Sequence, residues 1–530
     1  MIGTERCVVV HGRRSHHLWV LMAVVAMAPL VASSYWDQRE SFLKEEASWA
    51  VGGLINLTAE EEMVNGILME AKRKELAEAF NGTNTFLPSR HFFEAKADME
   101  KSDVFRFIKD LPKGAVLHGH DSSMVSLGYL VTNLTHRENL YACVVGNTAD
   151  LTLKRMQFTD GEPPSSDGDC EWTAMDELRK SHGTEFIDHW LSRELSLVTD
   201  NPWEKYPTVD IVWDYFNQLF ERISGLINYK PVFEDYYKQV LTELRDDNII
   251  YLEIRGTLSK LYDLEGNQWE GSDVAKILKE ATEEFVSKNP EDFFGAKLIY
   301  GPIRHINDST FTDDLQMVMN LHAQYPDFLA GFDLVGQEDK GRPLKDFVDR
   351  LLTLPPDIQF FFHAGETNWQ GLTDMNLVDA ILLNTTRIGH GYALLKHPLV
   401  VHRARERGIA VEVNPISNQV LRLVDDLRNH PAAALLADEF PVVISCDDPC
   451  FWNASGLSYD FYEAFMGFAG AEADLRLLKQ LSVNSILYSS MQGDEKNRAM
   501  NLWQKKWNQF IEKTIRKHQI DLGIFTNEVK

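Results

Sequence analysis

The chain has 530 residues, 44% hydrophobic and 25% charged, which excludes a disordered, collagenous or multi-span membrane protein. Its 79 acidic against 53 basic residues leave a formal net charge of -26, which opposes non-specific attraction to nucleic acid or anionic membranes. Five cysteines are too few for a disulfide scaffold, and the length allows one very large domain or up to about three.

Arg6, Arg13 and Arg14 precede a continuous apolar run from Leu18 to Val31, and the small residues Ala32, Ser33 and Ser34 follow it. This is the pattern of a secretory signal peptide over residues 1–33. The run is short for a bilayer span and Pro29 interrupts it, so an uncleaved anchor helix is the lesser reading. No other stretch is apolar enough to span a membrane, so a secreted, extracellular protein without stable membrane insertion is expected. Secretion makes six Asn-x-Ser/Thr triplets, at Asn56, Asn81, Asn133, Asn307, Asn384 and Asn453, candidates for glycosylation. Cys143 and Cys170 flank a polar, turn-rich segment and are expected to be bridged, whereas Cys446 and Cys450 read as buried or free thiols.

Residues 34–110 read as a helical extension. Thr58 and Glu61 have capping-box spacing, and Val64, Ile67, Leu68 and Ala71 follow a helical period. Residues 126–185 are polar, carry the cysteine pair and read as an inserted subdomain after a first short strand, 114–117. Further strands are expected at 249–254, 296–300, 329–335, 358–362, 387–389, 409–413 and 442–445, largely apolar on both faces and separated by helices. Eight strand–helix repeats predict an α/β fold, a (β/α)8 TIM barrel made of residues 111–125 and 186–530. A doubly wound sheet is the alternative, but the first strand has no Gly-rich dinucleotide loop after it. A C-terminal helix through Trp503, Trp507 and Phe510 is expected on the barrel exterior.

Active sites of such barrels gather where strands end, and four expected strands end in groups that bind metals or move protons. The first ends in His118-Gly-His120-Asp121, the fifth in His363-Ala-Gly-Glu366, the sixth in His390 and the eighth in Asp447-Asp448. Three imidazoles and a carboxylate suit zinc, so His118, His120, His363 and Asp447 are the candidate ligands of a mononuclear Zn²⁺ that would activate water. Glu366 is the candidate acid, and His390 the candidate base that orients or deprotonates that water. Asp448 would accept a hydrogen bond from the substrate.

This order of residues, with Gly336-x-Glu338, resembles the metal-dependent adenosine deaminases of the amidohydrolase superfamily. The strings FFHAGET, NTTRIGHG, PISNQVL, VISCDDP and GLSYDFYEAFMG resemble the secreted branch, the adenosine deaminase-related growth factors or type 2 adenosine deaminases. The resemblance implies one zinc per subunit and hydrolytic deamination of adenosine, and of 2'-deoxyadenosine, to inosine or deoxyinosine and ammonia. It implies that Glu366 protonates N1, that His390 assists the water, that Asp448 holds N7 or the attacking hydroxyl, and that the Gly336 N–H reaches N3. Asp121, Trp213 and the neighbouring Asp214, Tyr215, Phe216 and Phe220 would contact the nucleoside, with Glu338 behind them. It also implies a homodimer through 34–110 and a receptor- or glycosaminoglycan-binding insertion with growth-factor activity. One departure is Ile303, where vertebrate members carry a substrate-holding His before the Arg that corresponds to Arg304. Rival readings are a receptor ligand with degraded catalysis and an AMP deaminase on the same barrel.

Overall fold

The computed structural model describes residues 34–146, 151–165, 168, 170–521 and 523, so the expected signal segment 1–33 lies outside the described residues. Eight parallel strands form where the apolar segments fall: β1 Gly114–His120, β2 Ile249–Gly256, β3 Gly295–Tyr300, β4 Leu329–Phe332, β5 His363–Ala364, β6 Arg387–His390, β7 Ala410–Val413 and β8 Val442–Ile444. β1 to β4 pair in sequence order, as do β5 to β8. Two parallel bridges close the ring, Phe332 to Phe360 ahead of β5 and Gly119 to Asp447 beyond β8. At the second seam the Asp447 N–H donates to the His118 carbonyl at 3.1 Å and the His120 N–H to the Asp447 carbonyl at 3.2 Å. The result is the expected (β/α)8 barrel.

β1 and β2 run on past their expected ends, to His120 and Gly256. Two strands fall short of the expected ranges: β4 ends at Phe332 instead of Val335, and the regular part of β5 is His363–Ala364 instead of 358–362. Asp333 is the cause. Its Oδ1 accepts the Leu334 N–H at 2.7 Å and the His363 N–H at 2.9 Å, taking donors a ladder would use.

The N-terminal extension is helical, at 34–49, Ala59–Phe80, Phe92–Met99 and Asp103–Asp110. The capping box forms: Thr58 Oγ1 accepts the Glu61 N–H at 3.2 Å, and Glu61 Oε2 accepts the Thr58 N–H at 2.9 Å. Glu61 Oε1 also accepts Trp507 Nε1–H at 2.6 Å from the C-terminal helix Gly493–Asp521, whose Trp503 donates to the Pro112 carbonyl at 3.0 Å. The extension and the C-terminal helix are thereby tied to each other and to the chain just ahead of β1.

The segment after β1 holds a three-stranded antiparallel sheet, Thr152–Phe158 and Glu171–Ala174 flanking Leu140–Val145. Cys143 and Cys170 are disulfide-bonded with their Cα atoms 5.5 Å apart, while Cys446 and Cys450 are free and buried. Strand Thr152–Phe158 presses on helix Val209–Ile227 at Gly225, where a Cβ would lie 2.0 Å from the Met156 carbonyl oxygen. Only glycine permits that approach, which couples the inserted sheet to the helix over the barrel mouth.

Candidate active site

The strand-end histidines and acids converge at one end of the barrel. Donor atoms of His118, His363, His390 and Asp447 all lie within 4.8 Å of one another, and those of His120, Asp447 and Asp448 form a second such group sharing Asp447. His118 Nε2 lies 3.3 Å and His120 Nε2 3.0 Å from Asp447 Oδ1. His118 Nε2 and Asp447 Oδ1 are buried without a hydrogen-bond partner, as atoms awaiting a cation are. The neutral-nitrogen and carboxylate donor set therefore fits a metal ion. His390 and Asp447 adopt left-handed backbone, φ +59° and +60°, which turns each side chain off its strand into the mouth. Gly389 makes the crowding possible, since a Cβ there would lie 3.1 Å from His363 Cα and 3.2 Å from His118 Cε1.

Beneath the histidines lies a layer of charges set within strands that are otherwise apolar. Glu412 of β7 accepts His118 Nδ1–H at 2.7 Å, and Asp333 accepts His363 Nδ1–H at 2.6 Å. Arg255 of β2 bridges the two carboxylates, at 2.8 Å to Asp333 and 2.6 Å to Glu412. Arg387 of β6 joins Glu412 to Glu253, each at 2.6 Å. All five are essentially fully buried. Burial alone would raise the Asp333 carboxyl, but the facing His363 and Arg255 hold it well below the usual range. The available signal is a charged residue within an otherwise apolar strand, Glu253 and Arg255 in IIYLEIR and Glu412 in IAVEV.

A cavity of about 380 Å³ opens above the floor. Among its lining residues are His120, Asp121, Trp213, Phe216, Phe220, Ile303, Gly336, His363, Glu366, His390, Asp447 and Asp448. Helix Val209–Ile227 supplies Trp213, Phe216, Asn217 and Phe220, the i, i+3, i+4 and i+7 face. Asp214 and Tyr215 do not line the cavity: they lie on another face of that helix, where Tyr215 packs edge-on against Tyr206. Ile303 stands at the mouth, half exposed.

Glu366 sits 3.5 Å from His390 Nδ1. Burial, with Asp447 and Glu338 nearby, pushes its carboxyl well above the usual range. Glu338 accepts the Glu366 N–H at 2.8 Å and Asn376 Nδ2–H at 2.7 Å, bracing the loop from behind. Burial, with Asp447 alongside, raises Asp448 to about 8 against the pull of His120, and Ser123 Oγ–H donates to it. Burial likewise raises Asp121 to about 6 despite the pull of His120 and the Thr257 N–H.

Residues 207–506 match the adenosine deaminase family, and residues 17–108 match the adenosine/AMP deaminase N-terminal family. The chain is 46% identical over 504 residues to an adenosine deaminase of Phlebotomus duboscqi, covering 93% of this chain and 96% of that one. It is 43% identical over 501 residues to adenosine deaminase 2 of Homo sapiens, covering 93% and 97%. In fold it is similar to the N6-methyl-AMP deaminase of Arabidopsis thaliana, with a TM-score of 0.53 at 15% identity over 76% of this chain and 98% of that one. A barrel whose strand ends gather imidazoles and carboxylates, preceded by the helical region that matches the N-terminal family, belongs to the adenosine deaminase family, in its adenosine deaminase 2 branch.

Proposed function

We propose that this protein is a secreted adenosine deaminase that converts adenosine and 2'-deoxyadenosine to inosine and deoxyinosine, releasing ammonia. The observation that carries the reading is the convergence of His118, His363, His390 and Asp447 on one point of a cavity that Glu366 also enters. His118, His120, His363 and Asp447 would hold one Zn²⁺ per subunit, for which nitrogen and carboxylate donors are suited. Bound zinc supplies a Lewis acid that makes water nucleophilic near neutral pH.

The chain's own groups do the rest. Glu366, whose carboxyl burial pushes up towards the protonated form, is the group that gives a proton to N1, so that the ring takes up the charge of addition at C6. His390 orients the water from the cavity floor. Asp448, also held protonated near neutrality, hydrogen-bonds N7, and the Gly336 N–H reaches N3. Asp121 meets the ribose, while Trp213, Phe216 and Phe220 form an apolar wall that excludes water. Asp214 and Tyr215 act only through that helix, and Ile303 offers the substrate an apolar edge.

Residues 1–33 serve as the signal peptide, 34–110 as the dimerising extension, 111–125 with 186–530 as the catalytic barrel, and 126–185 as the subdomain for a receptor or glycosaminoglycan. The exposed Tyr35, Trp36, Phe42, Leu43 and Trp49 of the leading helix support dimerisation. Glycosylation is supported at Asn56, Asn81, Asn133, Asn307, Asn384 and Asn453, all of them exposed. Among the described residues no helix is long and apolar enough to cross a membrane.

The test is direct. Zinc-loaded protein is incubated with adenosine and the absorbance change to inosine is followed, with AMP as a parallel substrate. Turnover of adenosine is expected, and its loss by about 10²- to 10⁴-fold in Glu366→Gln with zinc retained. A zinc-loaded sample inert towards adenosine overturns the reading.

A further inference from the structure

Three histidines of the floor differ in what holds their Nδ1. His118 and His363 each face a carboxylate, Glu412 and Asp333, at 2.7 and 2.6 Å. A carboxylate only accepts, so both rings carry the proton on Nδ1 and leave Nε2 bare. His390 Nδ1 faces instead the side-chain amide of Asn418, at 3.1 Å from Nδ2, and the Glu366 carboxyl stands farther off at 3.5 Å.

The direction of that bond is decided two links away. The Ala432 N–H donates to His430 Nδ1 at 3.0 Å, and a backbone N–H can only donate. His430 is buried, with its pKa held down at about 3, so its neutral ring carries the proton on Nε2. That proton is given to Asn418 Oδ1 at 2.9 Å. The amide NH₂ of Asn418 therefore points at His390 Nδ1 and donates to it. A neutral His390 then has its proton on Nε2, which faces the floor 3.8 Å from Asp447 Oδ2. Asn414, whose Nδ2 lies 3.4 Å from Nε2 and whose Oδ1 has no partner, can accept that Nε2–H when its amide is turned end for end, and gives the bond up when the reacting oxygen takes its place. All members of the relay are buried, and His430 is stacked on Phe468 at 4.4 Å.

We propose that His430, acting through Asn418, is a positioning residue that fixes the proton of His390 on Nε2, so that His390 gives a hydrogen bond to the reacting oxygen and takes no proton from it. This rests on the deaminase reading above and narrows it: the general-base role that a strand-end histidine allows is closed to this tautomer. It also separates His390, whose Nε2 is occupied, from His118 and His363, whose bare Nε2 atoms are free to bind a cation.

The test has two arms on the full zinc-loaded chain. Neutron crystallography after exchange into D₂O reads the tautomers without reference to activity. Deuterium on Nε2 of both His430 and His390, with none on His390 Nδ1, is expected; deuterium on His390 Nδ1 overturns the proposal. Kinetics with adenosine form the second arm. His430→Phe keeps the ring stacking and removes both nitrogens, so kcat is expected to fall about 10- to 100-fold with zinc content unchanged. KM is expected to stay within about threefold. His430→Gln keeps a donor where Nε2 lies and is expected to restore kcat to within about threefold of wild type. Wild-type kcat in His430→Phe, or an equal loss in His430→Gln, overturns the proposal. Should His430→Phe fail to fold, Asn418→Asp reads the same relay: it can only accept, moves the His390 proton to Nδ1, and must lower kcat. A wild-type enzyme inert towards adenosine defeats the deaminase reading, while the neutron map still decides the tautomer.

Discussion

Glu338 receives the main-chain N–H of Glu366 at 2.8 Å, so the proposed proton donor is placed by a second carboxylate that itself accepts further donors from Gly365 and Asn376. Glu338→Ala leaves those buried donors open, at a cost of about 1–3 kcal/mol for each one left unpaired. Lower stability in chemical denaturation and a lower kcat are expected together. Full activity with unchanged stability would mean that the loop holds Glu366 without help.

Glu412 ties His118 to Arg255 and Arg387. Glu412→Gln removes the charge that both guanidinium groups share, and stability is expected to fall by about 3–5 kcal/mol. Zinc affinity, measured by competition with a chelator, is expected to drop about 10- to 100-fold. Burial opposes ionisation of Glu412, but Arg255 and Arg387 hold its carboxyl below the unfolded value. The stability it contributes is thus present above about pH 4.3 and is lost as the pH falls from there. The acid limb of the stability curve is expected to be shallower in Glu412→Gln.

The proposed contact of Asp121 with the ribose predicts a pH dependence of substrate binding. Its carboxyl, raised by burial to about 6, is ionised at neutral pH and takes up a proton just below it. Loss of a charge-assisted hydrogen bond to the ribose is expected to raise KM for adenosine about tenfold as the pH falls through 6. Asp121→Asn should show a high KM with no such inflection, and an inflection that survives the substitution assigns it to another group.

The Cys143–Cys170 bond stiffens a sheet that rests on the helix over the cavity. Closing a loop of this size is worth about 3.6 kcal/mol. In Cys143→Ser, faster amide hydrogen exchange is expected across residues 140–174 and Val209–Ile227, with KM raised and zinc content unchanged. Exchange confined to the inserted sheet would show that its contact at Gly225 does not hold the helix.

Much of the site is legible because its chemistry interrupts a hydrophobic pattern. His118, His363, His390 and Asp447 each come directly after or close behind an apolar run of the sequence, and the end of such a run is where a barrel exposes its side chains. The charges inside the strands were passed over for the same reason: Arg255 and Glu412 belong to runs that read as core, and only three-dimensional pairing makes them tolerable there. The end of β4 was misjudged because the Asp333 side chain, and not a turn residue, stops the ladder. The resemblance places Asp214 and Tyr215 in the same substrate-facing segment as Trp213, but the helix turns their side chains away from the cavity, a separation that only the helix phase shows. Nothing in the sequence around His430 marks it, since its role exists only through Asn418.

The seam of the barrel joins the first strand to the last, and the centre draws on both sides of it: His118 and His120 from one, Asp447 from the other. During synthesis on the ribosome, the early donors must therefore wait until almost the whole polypeptide has emerged before their partner arrives. With the proposed ligands so divided, cofactor capture would be a late act of maturation, and a truncated nascent chain would have nowhere to keep the ion.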